Sequence, residues 1–61
     1  MDKKYIRAVN KRDGRRIQGL LAKDDGVTVF IISGGEPFHC IRELYDFFEI
    51  DINWRVISKY E

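Results

Sequence analysis

Apolar residues cluster in short stretches separated by turn-forming residues over the first half of the chain. The stretches 4-10, 15-23 and 27-33 each hold a run of mainly apolar residues bounded by turn signals, which predicts three strands. Arg12-Asp13-Gly14 and Asp24-Asp25-Gly26 separate them. Each suits a three-residue hairpin loop that ends in a left-handed glycine. The pattern therefore predicts a three-stranded antiparallel meander.

Counting outward from these two loops predicts a register and two sheet faces. Lys11 pairs with Arg15 across the first loop, and Lys23 pairs with Val27 across the second. A sheet with one wet side should alternate apolar and polar residues, but both predicted faces are mainly apolar, so both need cover. The first face carries Tyr5, Arg7, Val9, Ile17, Gly19, Leu21, Val29 and Ile31, and the second carries Ile6, Ala8, Gln18, Leu20, Ala22, Thr28, Phe30 and Ile32.

The second half of the chain predicts a helix and a fourth strand. Ser33-Gly34-Gly35 ends the meander, and Pro37 suits the first position of a helix over 37-49. Strict alternation over 52-57 predicts a strand that buries its apolar side chains. The apolar half of the helical wheel holds Phe38, Cys40, Ile41, Leu44, Tyr45, Phe47 and Phe48, and the buried residues of the fourth strand are Ile52, Trp54 and Val56.

Together these elements predict a small α+β fold of order βββαβ, forming a single domain over residues 1-61. We expect the helix to pack on the first face, where Gly19 leaves space for aromatic rings. The second face, with Ile6, Leu20, Phe30 and Ile32, then forms an apolar patch of the kind that soluble monomers avoid. The alternative is a sheet that curls into a small barrel-like shape and hides both faces.

The composition is that of one small folded domain. The chain has 61 residues, of which 44% are hydrophobic, and a chain this short has little core to stabilise it. It contains neither an apolar run long enough for a membrane helix nor a signal-peptide core. The single cysteine, Cys40, excludes an internal disulfide and fits a reducing compartment. We therefore expect a cytoplasmic protein that does not associate with membranes.

The net charge of +1 hides a strong asymmetry. Residues 1-16 sum to +5 and residues 17-61 sum to −4. Lys11, Arg12, Arg15 and Arg16 at the tip of the first hairpin could contact phosphates, which makes nucleic-acid binding an alternative function. A base-reading sheet face should present Arg, Lys, Asn and Gln. The predicted faces offer few such residues, so a solvated turn is favoured.

Catalytic and metal-binding signatures are lacking. Cys40 lies on the apolar edge of the predicted helix, without a base to activate it. His39 and Glu43 lie one helical turn apart, but two ligands do not make a metal site. Ser33-Gly34-Gly35 resembles a phosphate-binding loop only in outline, because no lysine follows it. We expect no enzyme activity, no metal and no cofactor.

The sequence thus favours a small protein-binding regulator or inhibitor, of the kind that phages and other mobile elements also encode. Its partner would be another protein, and we expect a homodimer. The predicted partner-binding residues are Ile6, Leu20, Phe30 and Ile32.

Overall fold

Residues 37–49 form two strands and a short 3-10 turn, so the predicted helix and the α+β class are wrong. A computed structural model describes residues 3–60. The strands are β1 (Tyr5–Asn10), β2 (Arg16–Asp24), β3 (Thr28–Ser33), β4 (Glu36–Ile41), β5 (Tyr45–Ile50) and β6 (Val56–Lys59), with the 3-10 turn Arg42–Leu44 between β4 and β5. They form one antiparallel sheet in the order β4-β3-β2-β1-β5-β6.

The segment Ser33 to Glu36 turns the chain into a hairpin instead of starting a helix. Ser33 pairs with Glu36, and the two residues between them, Gly34 and Gly35, have φ angles of 61° and 81°. Two left-handed residues in a two-residue loop are the geometry of a type I′ turn, whose twist matches that of the strands. Pro37 follows in β4, an edge strand of the sheet. An edge strand tolerates proline because the missing N–H can face solvent.

The first hairpin loop is one residue longer than predicted. Asn10 Oδ1 accepts hydrogen bonds from the backbone N–H groups of Arg12 and Asp13, at 2.8 and 3.3 Å. Val9 consequently pairs with Arg16 instead of Ile17. A shift of one residue reverses which side of the sheet each side chain occupies. β1 is therefore flipped relative to the prediction.

The second hairpin register is also corrected, but its faces are preserved. Leu21 pairs with Ile31, whereas the predicted partner was Val29, and a bulge follows between Leu21 and Lys23. Because this shift is two residues, Leu21 and Ile31 still share a face, as do Leu20 and Ile32. Gly14 and Gly26 adopt the predicted positive φ, at 75° and 93°.

The core lies on the inner face of a sheet that curls over itself. Side chains from β1, β3, β4 and β5 meet in one cluster although β1 and β4 are not neighbours in the sheet. Gly19 allows this curvature, because a Cβ atom there would lie 2.0 Å from the carbonyl oxygen of Ile32. The space at Gly19 is thus taken by the backbone of β3 and not by a helix. The core cluster consists of Ile6, Ala8, Val29, Ile31, Cys40 and Phe47, each at most 3% exposed.

The predicted fourth strand over 52-57 is displaced towards the end of the chain. Residues 51–55 form a loop, and β6 begins at Val56. All three residues predicted to be buried there are exposed, Ile52 at 88%, Trp54 at 50% and Val56 at 51%. None of the helical structure within residues 3–60 has the length and apolar character needed to cross a membrane.

Candidate docking surface

A row of apolar residues crosses the outer face of the sheet from one edge to the other. Each member pairs in register with the next on the neighbouring strand. Most of these side chains remain accessible, including Tyr5 at 39%, Ile32 at 37% and Val56 at 51% exposed, whereas Ile50 is buried. We call this set the outer row, and its members are Pro37, Ile32, Leu20, Tyr5, Ile50 and Val56.

Three of the four predicted partner-binding residues lie on this outer face. Leu20 and Ile32 belong to the outer row. Phe30 lies beside it, with its ring edge-on to that of His39 at a centroid distance of 4.6 Å and Lys23 Nζ 5.9 Å from its centroid. Ile6 is fully buried in the core on the opposite face. The flipped register of β1 replaces Ile6 on the outer face with Tyr5.

The loop 51–55 holds two apolar side chains next to the outer row. Asp51 Oδ1 accepts hydrogen bonds from the backbone N–H groups of Asn53 and Arg55, at 2.8 and 3.0 Å. Asp and Asn are frequent turn formers for this reason. Their presence at positions 51 and 53 was the sequence signal against a strand. Ile52 and Trp54 are thereby held outside the core.

Trp54 has an unusual backbone conformation. Its φ is 65°, and no other non-glycine residue within 3–60 has a positive φ. Arg7 Nη2 donates a hydrogen bond to the Trp54 carbonyl at 2.6 Å, while Arg7 Nε donates to Gln18 Oε1 at 2.7 Å. The loop is thus tied to β1 and β2 through Arg7. Tyr5, Asp51, Ile52 and Trp54 line a cleft of about 200 Å³ at this position.

The basic residues of the first hairpin are exposed at its tip. Arg15 Nε lies 3.6 Å from Asp13 Oδ2, in an ion pair that is largely exposed. Lys11 also lines a more open cleft of about 520 Å³, together with Arg42 and Lys59. Asp46 contributes an opposing charge there. All four candidate nucleic-acid-binding residues, Lys11, Arg12, Arg15 and Arg16, are exposed.

A charged cluster joins the end of β2 to the residue that follows β6. Asp24 Oδ2 forms an ion pair with Arg42 and accepts a hydrogen bond from the Tyr60 hydroxyl at 2.6 Å. The hydrogen bonds from Arg42 and then Tyr60 lower the pKa of Asp24 from 3.8 to about 2. Burial, followed by the hydrogen bond to Asp24, raises the pKa of Tyr60. β4 and β6 are the two edge strands and share no backbone ladder. The side-chain bonds of this cluster connect the two ends of the sheet instead.

His39 and Cys40, the sequence-based candidates for metal binding and catalysis, lie on opposite faces of the sheet. Cys40 is buried, and burial raises the pKa of its thiol. His39 is exposed and pairs with Phe30, whereas Cys40 pairs with Val29 in the core. Over residues 3–60, no three His, Cys, Asp or Glu side chains form a group that could hold a metal ion. The Gly34-Gly35 segment is a connecting turn followed by a strand.

Comparison with known proteins gives no relative: no family model, no curated protein and no solved structure matches this chain.

Proposed function

We propose that this chain is a small non-enzymatic binding protein that regulates or inhibits another protein by docking on it through the outer sheet face. In the absence of that target, a second copy would occupy the face as a homodimer. The observation that carries the proposal is the outer row, which is apolar across all six strands and mostly accessible. Accessible apolar surface that continues from strand to strand, as it does here from Pro37 to Tyr5, marks interaction sites in soluble proteins.

The composition of the outer face supports docking more than simple solvation. A solvated outer face of an antiparallel sheet should carry polar residues at the positions that Leu20, Ile32 and Tyr5 occupy. Tyrosine and tryptophan are enriched among the residues that dominate binding energies at interfaces. Tyr5 in the row and Trp54 beside it are both accessible. A cytoplasmic location is part of the proposal, since a single buried thiol at Cys40 suits a reducing compartment.

The decisive variant places a charge in the outer row without touching the core. Ile32→Glu puts a carboxylate on the outer face, where association would have to desolvate it. Val27→Glu is the matched control, because Val27 is 66% exposed in the loop between β2 and β3. Light scattering and circular dichroism should show a dimeric wild type, a folded monomeric Ile32→Glu variant and a dimeric control.

The same variants serve as baits for the target protein. Wild-type chain and the Val27→Glu control should capture the target from a lysate, and Ile32→Glu should not. A wild type that stays monomeric at high concentration, together with an unfolded Ile32→Glu chain, would show that this face is ordinary core. That result would remove the basis of the proposal.

Nucleic-acid binding through the first hairpin is the second candidate. It is favoured by the exposure of Lys11, Arg12, Arg15 and Arg16 around one loop. Phosphate contacts release counterions, so binding would weaken steeply with salt, whereas an apolar interface would not. We expect no retarded complex with DNA or RNA near physiological salt. A salt-sensitive complex that is lost on replacing Arg12, Arg15 and Arg16 with alanine would favour this second function.

A further inference from the structure

We propose that the cleft lined by Tyr5, Asp51, Ile52 and Trp54 receives a cationic side chain, lysine or arginine, of the docked protein. This inference deepens the docking function and rests on it for the source of the ligand. The cleft adjoins the outer row, because Tyr5 belongs to both. A partner lying along the row would therefore have one side chain positioned over the cleft.

The residues lining the cleft favour a cation. Tyr5 and Trp54 supply two accessible aromatic rings, and a cation is attracted to the face of such rings. The volume of about 200 Å³ holds about seven water-sized groups, which suits one long side chain rather than a large cofactor. Ile52 adds an apolar wall for the methylene groups of that side chain.

Asp51 provides the complementary charge. Both hydrogen bonds from the loop to its side chain end on Oδ1, so Oδ2 keeps acceptor capacity for a ligand. Two cationic residues flank the loop, Arg7 and Arg55, and neither lines the cleft. The Arg7 guanidinium is bonded to Gln18 and to the Trp54 carbonyl, so it supports the loop that forms the cleft wall.

Neither the loop nor the core explains why a tryptophan stands at position 54. A φ of 65° suits glycine or asparagine, whereas bulky side chains rarely adopt it. Trp54 is 50% exposed, and it is not part of the core cluster. Backbone outliers of this kind occur preferentially at functional sites. A ligand that uses the ring accounts for the tryptophan.

The test uses small probes, so that it does not depend on finding the partner. Nα-acetyl-trimethyllysine amide, Nα-acetyl-lysine amide and Nα-acetyl-arginine amide are titrated against the full chain. Nα-acetyl-norleucine amide serves as a neutral probe of similar shape. Fluorescence reports on Trp54, the only tryptophan in the chain, and NMR shifts report on Tyr5 and residues 51–55. We expect saturable changes with the cationic probes and none with norleucine amide.

Variants assign the binding to the cleft. Tyr5→Leu and Asp51→Asn should each weaken the cationic probes about two- to fivefold. Asp51→Asn keeps the Oδ1 acceptor that holds the loop. Asp46→Asn, in the larger cleft, is the matched control and should not change the affinity for the cationic probes. Trp54→Asn should remain folded and lose binding, as followed by NMR.

The Ile32→Glu variant keeps the cleft and is the monomer in which no second copy can fill it, so it should bind the cationic probes. Two outcomes would overturn the inference: no saturable change with any cationic probe in this variant, or equal binding of norleucine amide. Probe binding together with a failed docking test would refute the docking function alone. A confirmed wild-type dimer whose Ile32→Glu variant binds no cationic probe would refute only the assignment of the cleft.

Discussion

Replacing Asp24 with asparagine should destabilise the protein in a pH-dependent way. Asp24 ends β2, and its carboxylate holds Arg42 and the Tyr60 hydroxyl, so it fastens the residue after β6 to the opposite end of the sheet. The Asn side chain keeps the size of Asp24 and can still accept the Gly26 N–H hydrogen bond. Its NH2 group then stands where Oδ2 accepts hydrogen bonds from Arg42 and Tyr60, and an NH2 group cannot accept them. The perturbation therefore removes the ion pair with Arg42 together with the hydrogen bond from Tyr60.

The magnitude follows from the lowered pKa. A fall from 3.8 to about 2 corresponds to about 2.4 kcal/mol of stabilisation of the ionised form in the folded state. The Asp24 side chain is 19% exposed, so solvent screening reduces this to about 1 to 2 kcal/mol. A chain of this length is stable by about 3 to 9 kcal/mol in total. The loss should therefore be easy to measure in urea or thermal unfolding.

The sign of the pH dependence is fixed by the direction of the pKa change. Because the folded pKa of Asp24 lies below its unfolded value, the stabilisation is fully present above 3.8 and is lost as the pH falls through about 2. At about pH 6 the Asp24→Asn variant should be less stable than wild type by about 1 to 2 kcal/mol. The difference should shrink towards zero near about pH 2.

Asp13→Asn is the matched control, because its pair with Arg15 is exposed and should contribute less than about 1 kcal/mol. Tyr60→Phe removes one hydrogen bond of the same cluster and should cost about 1 kcal/mol. A free energy of unfolding that differs equally between wild type and Asp24→Asn at all pH values would refute the role of the charge. So would equal effects of Asp24→Asn and Asp13→Asn.

Three further predictions concern packing. Gly19→Ala should cost about 3 kcal/mol or more in a denaturant titration, because its Cβ would meet a backbone carbonyl that cannot move aside. Gly14→Ala, in open space, should cost about 1 kcal/mol, and equal losses in the two variants would contradict the close approach at Gly19. Phe47→Ala should cost about 3 to 5 kcal/mol, whereas Leu44→Ala, at a 57% exposed position, should cost about 0.5 kcal/mol or less. Equal falls in melting temperature would contradict this difference in burial. Cys40 should react with a thiol reagent far more slowly in the native protein than in urea, because its thiol is buried and its pKa is raised; equal rates would show an accessible thiol.

The first three strands and the positions of their turns follow from local sequence patterns. The strands predicted over 4-10, 15-23 and 27-33 are present as β1, β2 and β3. These features are local, since alternating side chains and turn-forming residues act within a few positions of one another. Leu20, Phe30 and Ile32 could also be assigned to one face, because an error of two positions leaves the faces unchanged.

The length of the first loop was decided by side-chain hydrogen bonds that the pattern does not show. Asn10 caps the loop through Oδ1, and this added residue reverses β1. Ile6 moves into the core, and Tyr5 takes a place in the outer row. One residue of loop length thus changed which side chains form the candidate docking surface.

Long-range pairing sets the state of residues 37–49. Their apolar pattern fits one side of a helix, but five of the seven apolar residues in it are aromatic or β-branched and fit strands equally well. β1 is a central strand that needs a partner on each side, and β5 supplies it through pairs such as Tyr5 with Ile50. Such a ladder joins residues far apart in the chain, so no local window contains its stabilisation. A helix over these residues would leave the edge of β1 with unpaired backbone groups. The strand β5 pairs with that edge and also buries apolar side chains, so it is favoured over the helix.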